Sequence, residues 1–246
     1  MAGLPVSGRD GAQEMASSFD VSTVAAVGSS GRGTRARLLE AAGPIFAAKG
    51  LGGATVREIC ERAGVNVAAI NYHFGDKEHL YLEVVRHARR EREAAYPYPD
   101  ESELPPEQWL ARFVESLLRR LMEPGAPWQV RLLMREVLEP TAACAALVED
   151  YFRPDFDRLT AVVRRLLGSQ ASDAACRAVA MSVVGQCIFF RVSDHVLQRL
   201  LPPDTFKGND KIAELAAHVT RFSLAAIRTL RSAERDGSGE ESDGSS

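Results

Sequence analysis

The chain has 246 residues, 46% of them hydrophobic, with a formal net charge of -3. That length holds one ordinary core and a small accessory unit, and the near-neutral balance excludes a molecule that binds nucleic acid through its overall charge. The distribution is uneven: Arg32 to Arg90 carry ten Lys or Arg against six Asp or Glu, a net of +4, which is the footprint of a basic module that docks on phosphates.

The first twenty residues, MAGLPVSGRDGAQEMASSFD, lack a basic region followed by an apolar stretch, so no secretory signal is expected. The four cysteines, at 60, 144, 176 and 187, have neither C-x-x-C spacing nor density and fit a reducing cytoplasm. They read as small structural hydrophobes. The uncharged run Ala178 to Phe190 is shorter than the roughly 20 residues a bilayer span requires. It reads as a buried helix, and no membrane partner is expected.

In chain order, residues 1–31 are Ser-, Gly- and Ala-rich without sustained periodicity and are expected to be a disordered extension. A helix follows in RARLLEAAGPIFAAKG, whose Leu38, Leu39, Ala42, Ile45 and Phe46 form its inner face and whose Pro44 is expected to kink it. Thr55 and Glu58 have the T-x-x-E spacing of a capping box. Val56, Ile59, Cys60 and Ala63 then recur at i, i+3, i+4, i+7 and predict an amphipathic helix. Gly64 ends that helix. Asn66 is a natural N-cap for a second, short helix from Val67 to Phe74, anchored inward by Ile70 and Phe74. After Lys77 a further helix runs to about Ala95, where YPYPDESELPPE breaks it with four prolines.

This helix, glycine turn and short helix have the layout of a helix-turn-helix DNA reader. The residues Tyr72-His73-Phe74-Gly75-Asp76-Lys77-Glu78 resemble the TetR family of bacterial transcriptional regulators. Arg135-Glu136-Val137-Leu138-Glu139-Pro140-Thr141, Ser182 to Val192 and His218 to Leu230 resemble the C-terminal domain of its CerR-type subgroup. The resemblance covers roughly residues 32 to 231. It implies an all-α protein, with an N-terminal three-helix helix-turn-helix domain over 32–95 and a larger helical effector-binding and dimerisation domain over 108–231. Composition adds a Pro-rich linker loop over 96–107 and a disordered acidic tail of Ser, Gly and acidic residues over 232–246.

In the reader, Asn71 can donate to and accept from an adenine edge, while Val67, Ala68 and Ala69 are small enough to approach thymine methyls. Tyr72, Thr55, Arg57 and Lys77 suit phosphates, and His73 is divided between a DNA contact and a structural role beside Phe74. For an unidentified small-molecule effector, Trp128, Met134, Phe152, Met181, Gln186, Phe189, Phe190, Arg191 and His195 mix bulky apolar with polar groups in the manner of a pocket lining. Ile212, Leu215, Val219, Phe222 and Ala226 repeat at 3-4-3-4 spacing, a seam suited to another helix. With the resemblance, that seam implies a homodimer whose last two long helices pair with their mates.

The expected function is a repressor of palindromic double-stranded operator DNA, released by its effector. The rival readings are a helical enzyme with a DNA-docking module and a nucleoid-type architectural binder. No G-x-x-x-x-G-K-S/T, H-E-x-x-H or G-x-S-x-G motif supports catalysis, and neither a cofactor nor a metal is expected.

Overall fold

In a computed structural model, described for residues 21–240 apart from 101, 124, 126, 203, 204 and 207–209, and for side chains between 33 and 232 outside those gaps and 127, every regular element is helical. The basic module comprises α1 (Val21–Gly53), α2 (Val56–Ala63), α3 (Ala68–Phe74) and α4 (Lys77–Ala95). There follow α5 (Pro106–Met122), α6 (Pro127–Leu138), α7 (Ala142–Leu147), a π-helical turn (Val148–Phe152), α8 (Arg153–Leu167), α9 (Asp173–Val192), α10 (Asp194–Leu200) and α11 (Lys211–Glu240). Of the two ends expected to be disordered, residues 1–20 and 241–246 lie outside the described residues. Residues 21–31 and 232–240 continue the backbone of α1 and α11.

Pro44 does not break α1. The non-helical backbone inside that helix falls at Gly50 instead (φ 70°, ψ 179°), a conformation that costs glycine little. Gly43 and Gly50 have a second role, set by α6. A Cβ on Gly43 would lie 2.5 Å from the Trp128 ring, and one on Gly50 would lie 2.7 Å from the Arg135 side chain. The two glycines therefore admit α6 against α1.

Two cores result, and they do not divide at the Pro-rich loop. The first joins Leu38, Phe46, Ile59, Ile70, Leu80 and Val84 of the basic module to Leu132 of α6 and to Ala143 and Leu147 of α7. The second is built from α5, α8, α9 and α11 around Trp109, Phe113, Leu159, Val183 and Val219. The loop itself packs on this second core. Tyr98 stacks on Phe113 with ring centroids 4.4 Å apart, and Trp109 Nε1 donates to the Pro99 carbonyl at 3.0 Å.

Helix α9 has the length and composition of a membrane span. Its Cys176, Ala180, Val183 and Cys187 pack into the second core, but Met181, Phe189 and Val192 are exposed, so the run expected to be a buried helix is buried on one face only. Burial pushes the Cys187 thiol up to about 12, which suppresses the reactive thiolate.

Candidate nucleic-acid interface and internal cavity

The reader is assembled largely by local chemistry. Thr55 caps α2 by accepting from the Glu58 amide at 3.2 Å. The Glu58 carboxylate does not return to the cap, as a full capping box would have it. It is held by Lys49 Nζ at 2.7 and 2.8 Å, which ties α2 to α1. Gly64 takes the left-handed conformation (φ 64°, ψ 42°), and Asn66 Oδ1 accepts from the Ala68 amide at 3.0 Å to open α3. Ile70 is fully buried beneath α3, and Phe74 packs against the same core under the Arg35 guanidinium.

With that face anchored, Val67, Ala68, Asn71 and Tyr72 project outward, Tyr72 with 84% of its surface exposed. Thr55 and Arg57 are exposed beside them on α2, with Arg57 Nε donating to Glu61 at 2.7 Å. Three expectations shift. Ala69 turns partly into the core, because it precedes Ile70 at the edge of the buried face. Lys77 Nζ donates to the Ala54 carbonyl at 3.2 Å, so its charge also closes the end of α1 against the start of α4. His73 is half-buried between the rings of Tyr72 and Phe74. At the start of α4, Asp76 accepts from the His79 amide at 2.7 Å, which lowers its pKa and occupies an amide otherwise open to phosphate.

The junction between reader and remainder centres on the Arg135 to Thr141 string. Glu136 is fully buried; it accepts from the Tyr81 hydroxyl of α4 and from the amide and hydroxyl of Thr141, at 3.2 and 3.0 Å. Burial, then the Glu136 contact, raise the Tyr81 pKa. Trp128, expected in a pocket, belongs here, close to Gly43 and stacked on His87.

Nearby, Glu40, His87 and Glu91 place one ligand-capable atom each within 4.8 Å of one another. His87 Nε2 already pairs with both carboxylates, at 3.1 and 3.6 Å.

A cavity of about 580 Å³ lies between α4, α5, α6, α8 and α9, with the π-helical turn at its side. Of the expected effector residues, Met134 and Phe152 line it. Phe190 lines a smaller cavity of about 280 Å³ against α10 and the start of α11. Gln186 bonds to the Ser182 carbonyl and the Ser223 hydroxyl. Arg191 is half-buried and its Nε finds no partner among the described residues, while Met181, Phe189 and His195 are exposed.

The larger cavity also holds groups that the sequence reading passed over: Arg89, Arg92, Tyr98, Arg120 and Asp155. Arg89 and Asp155 pair at 2.5 Å, with Arg120 3.7 Å from the same carboxylate. The Arg120 guanidinium lies 3.5 Å from the Tyr98 ring centre. Burial lowers the pKa of Arg92 and Arg120. It also lifts that of Asp155 despite both neighbouring guanidiniums. A signal was available: Arg92 follows Tyr81, Val85 and Ala88, and Arg120 follows Trp109 and Phe113, on buried stripes. A charge on an apolar stripe marks a buried polar site.

The expected dimer seam divides. Ile212, Leu215 and Val219 are buried in the chain's own second core, whereas Phe222 and Ala226 are exposed. The buried stripe of α11 continues through Ser223 and Ile227, because a straight helix has 3.6 residues per turn and drifts from a seven-residue spacing. The outer face of α11 presents Phe222 and Leu230 beside Met181, Phe189 and Val192 of α9, all large and apolar and at least 44% exposed. The rings of Phe189, Phe190, His218 and Phe222 run in sequence across the two helices.

Residues 38–84 match the family described as bacterial regulatory proteins, tetR family, and residues 106–227 match the C-terminal domain of the HTH-type transcriptional dual regulator CecR. The subgroup expected as CerR-type is that of CecR. Among curated proteins, the chain is 29% identical over 180 residues to the dual regulator CecR of Shigella flexneri, covering 68% of this chain and 79% of that one. It is 44% identical over 61 residues to the transcriptional repressor AcnR of Corynebacterium glutamicum, covering 25% and 32%. Its fold is similar to a TetR-like regulator from Rhodococcus sp. RHA1 (TM-score 0.54, 21% identity, 78% and 96% covered). It is also similar to the regulator PfmR from Thermus thermophilus (TM-score 0.52, 20% identity, 77% and 97% covered).

Proposed function

Because the chain belongs to the TetR family of DNA-binding transcriptional regulators, we propose that it is a homodimeric repressor that occupies a palindromic operator and leaves it when a small molecule fills the 580 Å³ cavity. The observation that carries this reading is the course of α4. Its first turn closes on α1 through Lys77 and Ala54, and its last two turns supply Arg89 and Arg92 to the cavity wall. A helix of this length spans about 28 Å at 1.5 Å per residue. A ligand that alters the packing of Arg89 therefore tilts the element on which the reading helix is mounted, and a rigid-body shift of this kind changes half-site spacing.

The exposed apolar faces of α9 and α11 favour a twofold pairing of these helices, since a patch of large apolar side chains on a soluble protein marks an interaction surface. Two reading helices on one axis then address two half-sites. The effector must bind the DNA-incompetent arrangement more tightly, because equal affinity for both shifts nothing.

Footprinting on the DNA upstream of the protein's own gene, with and without added candidate ligands, tests the proposal. A discrete palindromic footprint that a ligand erases supports it. Diffuse protection with no sequence preference favours an architectural binder instead.

A further inference from the structure

We propose that the 580 Å³ cavity takes an amphipathic carboxylate, with its anionic head on Arg120 and Arg89 and its apolar body against α6 and α9. The inference rests on the effector reading above and adds the chemical class of the ligand.

Arg120 and Arg89 are each only 5% exposed. Arg120 Nε is engaged by the Tyr96 carbonyl at 2.7 Å, but both of its terminal nitrogens, and Nη1 of Arg89, have no hydrogen-bond partner among the described residues. Buried guanidinium N–H groups are ordinarily paired, because desolvation without compensation is unfavourable. Asp155 lies between the two arginines. It is 2.5 Å from Arg89 but 3.7 Å from Arg120, beyond hydrogen-bonding reach. Glu93, on the wetter side of Arg89, stays 3.8 Å from its Nη1 and likewise makes no hydrogen bond there. Arg92 donates to the Arg119 and Arg120 carbonyls and supplies a third positive charge. The buried lining thus sets three guanidiniums against Asp155, and Arg120, stacked on the Tyr98 ring, offers a planar fork without hydrogen bonds, of the kind that carboxylates fill bidentately.

The rest of the inner wall is apolar. Leu117, Val130, Leu133, Met134, Val184 and Ile188 line the same space, and they suit a hydrocarbon or aromatic body. Arg153, Asp157 and Arg177 also border the cavity but are exposed, where water screens their charge. A cavity of this size lies within the range of about 300–1,000 Å³ typical of small-molecule sites. Pairing, not burial, favours the charged head, since burial alone raises the pKa of a carboxylate here, as at Asp155. Arg120 has a lowered pKa because it is desolvated, and an entering anion relieves that penalty.

The test is calorimetric titration of the full chain at about pH 8, where carboxylic acids are ionised, with two acid and alcohol pairs of matched shape: decanoate with decan-1-ol, and 2-naphthoate with 2-naphthol. At least one acid is expected to bind about 10- to 100-fold more tightly than its alcohol, the scale of a hydrogen bond to a charged group. Arg120→Met should erase that difference. Asp155→Asn, which removes the competing carboxylate, should strengthen acid binding without strengthening alcohol binding. Far-ultraviolet circular dichroism checks that each variant folds, and the wild-type comparison stands without them. Alcohols that bind as tightly as their acids, or saturable binding by neither acid, would overturn the inference. Operator release is read separately. An acid that binds by this pattern and leaves the operator occupied supports the site while refuting induction through it.

Discussion

Trp128 of α6 lies where a side chain on Gly43 of α1 would be, 2.5 Å from the position of its Cβ. The glycine inside α1, unfavourable for a helix by about 1 kcal/mol relative to alanine, is thereby explained by a contact with a helix far along the chain. Gly43→Ala is expected to destabilise the protein by about 1–3 kcal/mol through overpacking. In a Trp128→Ala background the same change should become neutral or stabilising. Urea denaturation of the four proteins of this cycle measures the coupling, and additive effects would mean that the two positions do not meet.

Tyr81→Phe should cost about 1–3 kcal/mol, because it leaves the buried Glu136 carboxyl without one of its donors. The alkaline limb gives an independent check. Tyr81 has a pKa raised in the fold above its ordinary 10, so its stabilising contribution is fully present below that ordinary value and is lost as pH rises from there toward the folded value. Thermal melts of wild type should therefore fall more steeply above about pH 10 than those of Tyr81→Phe.

For the dimer, substitutions on the two faces of α11 should part company. Phe222 is 60% exposed within one subunit, so Phe222→Asp should leave the fold intact and yield monomers in sedimentation velocity. Val219 is fully buried, and Val219→Asp should unfold the chain, since an unpaired buried charge costs about 3–5 kcal/mol. A Phe222→Asp protein that sediments as the wild type does would exclude this face as the interface.

Within the reader, Asn71→Ala should relax base preference at one position per half-site, by about 1–3 kcal/mol for a bidentate contact. Lys77→Ala should weaken binding to all sequences and lower the salt slope by about one unit. It should also lower thermal stability, because the lysine holds the Ala54 carbonyl. Binding titrations at several salt concentrations, with a melt of each variant, separate these effects. A Lys77→Ala variant with changed sequence preference would reverse the assigned roles.

The amino-acid sequence by itself determined the reader, because its determinants act over three or four residues: the Thr55 and Asn66 caps, the Gly64 turn, the Ile59, Cys60 and Ala63 stripe, and the limits of α4 at Lys77 and Ala95. The tertiary structure alone decided what depends on distant partners. It carried α6 and α7 into the reader's core through Leu132, Ala143 and Leu147, and turned Phe222 rather than Val219 to the surface. It also gathered Arg89, Arg120 and Asp155 from three helices around one cavity. Periodicity specifies that a helix has an apolar face. Which neighbour covers that face, and which guanidinium nitrogens are left inside without hydrogen bonds, follows only from long-range packing.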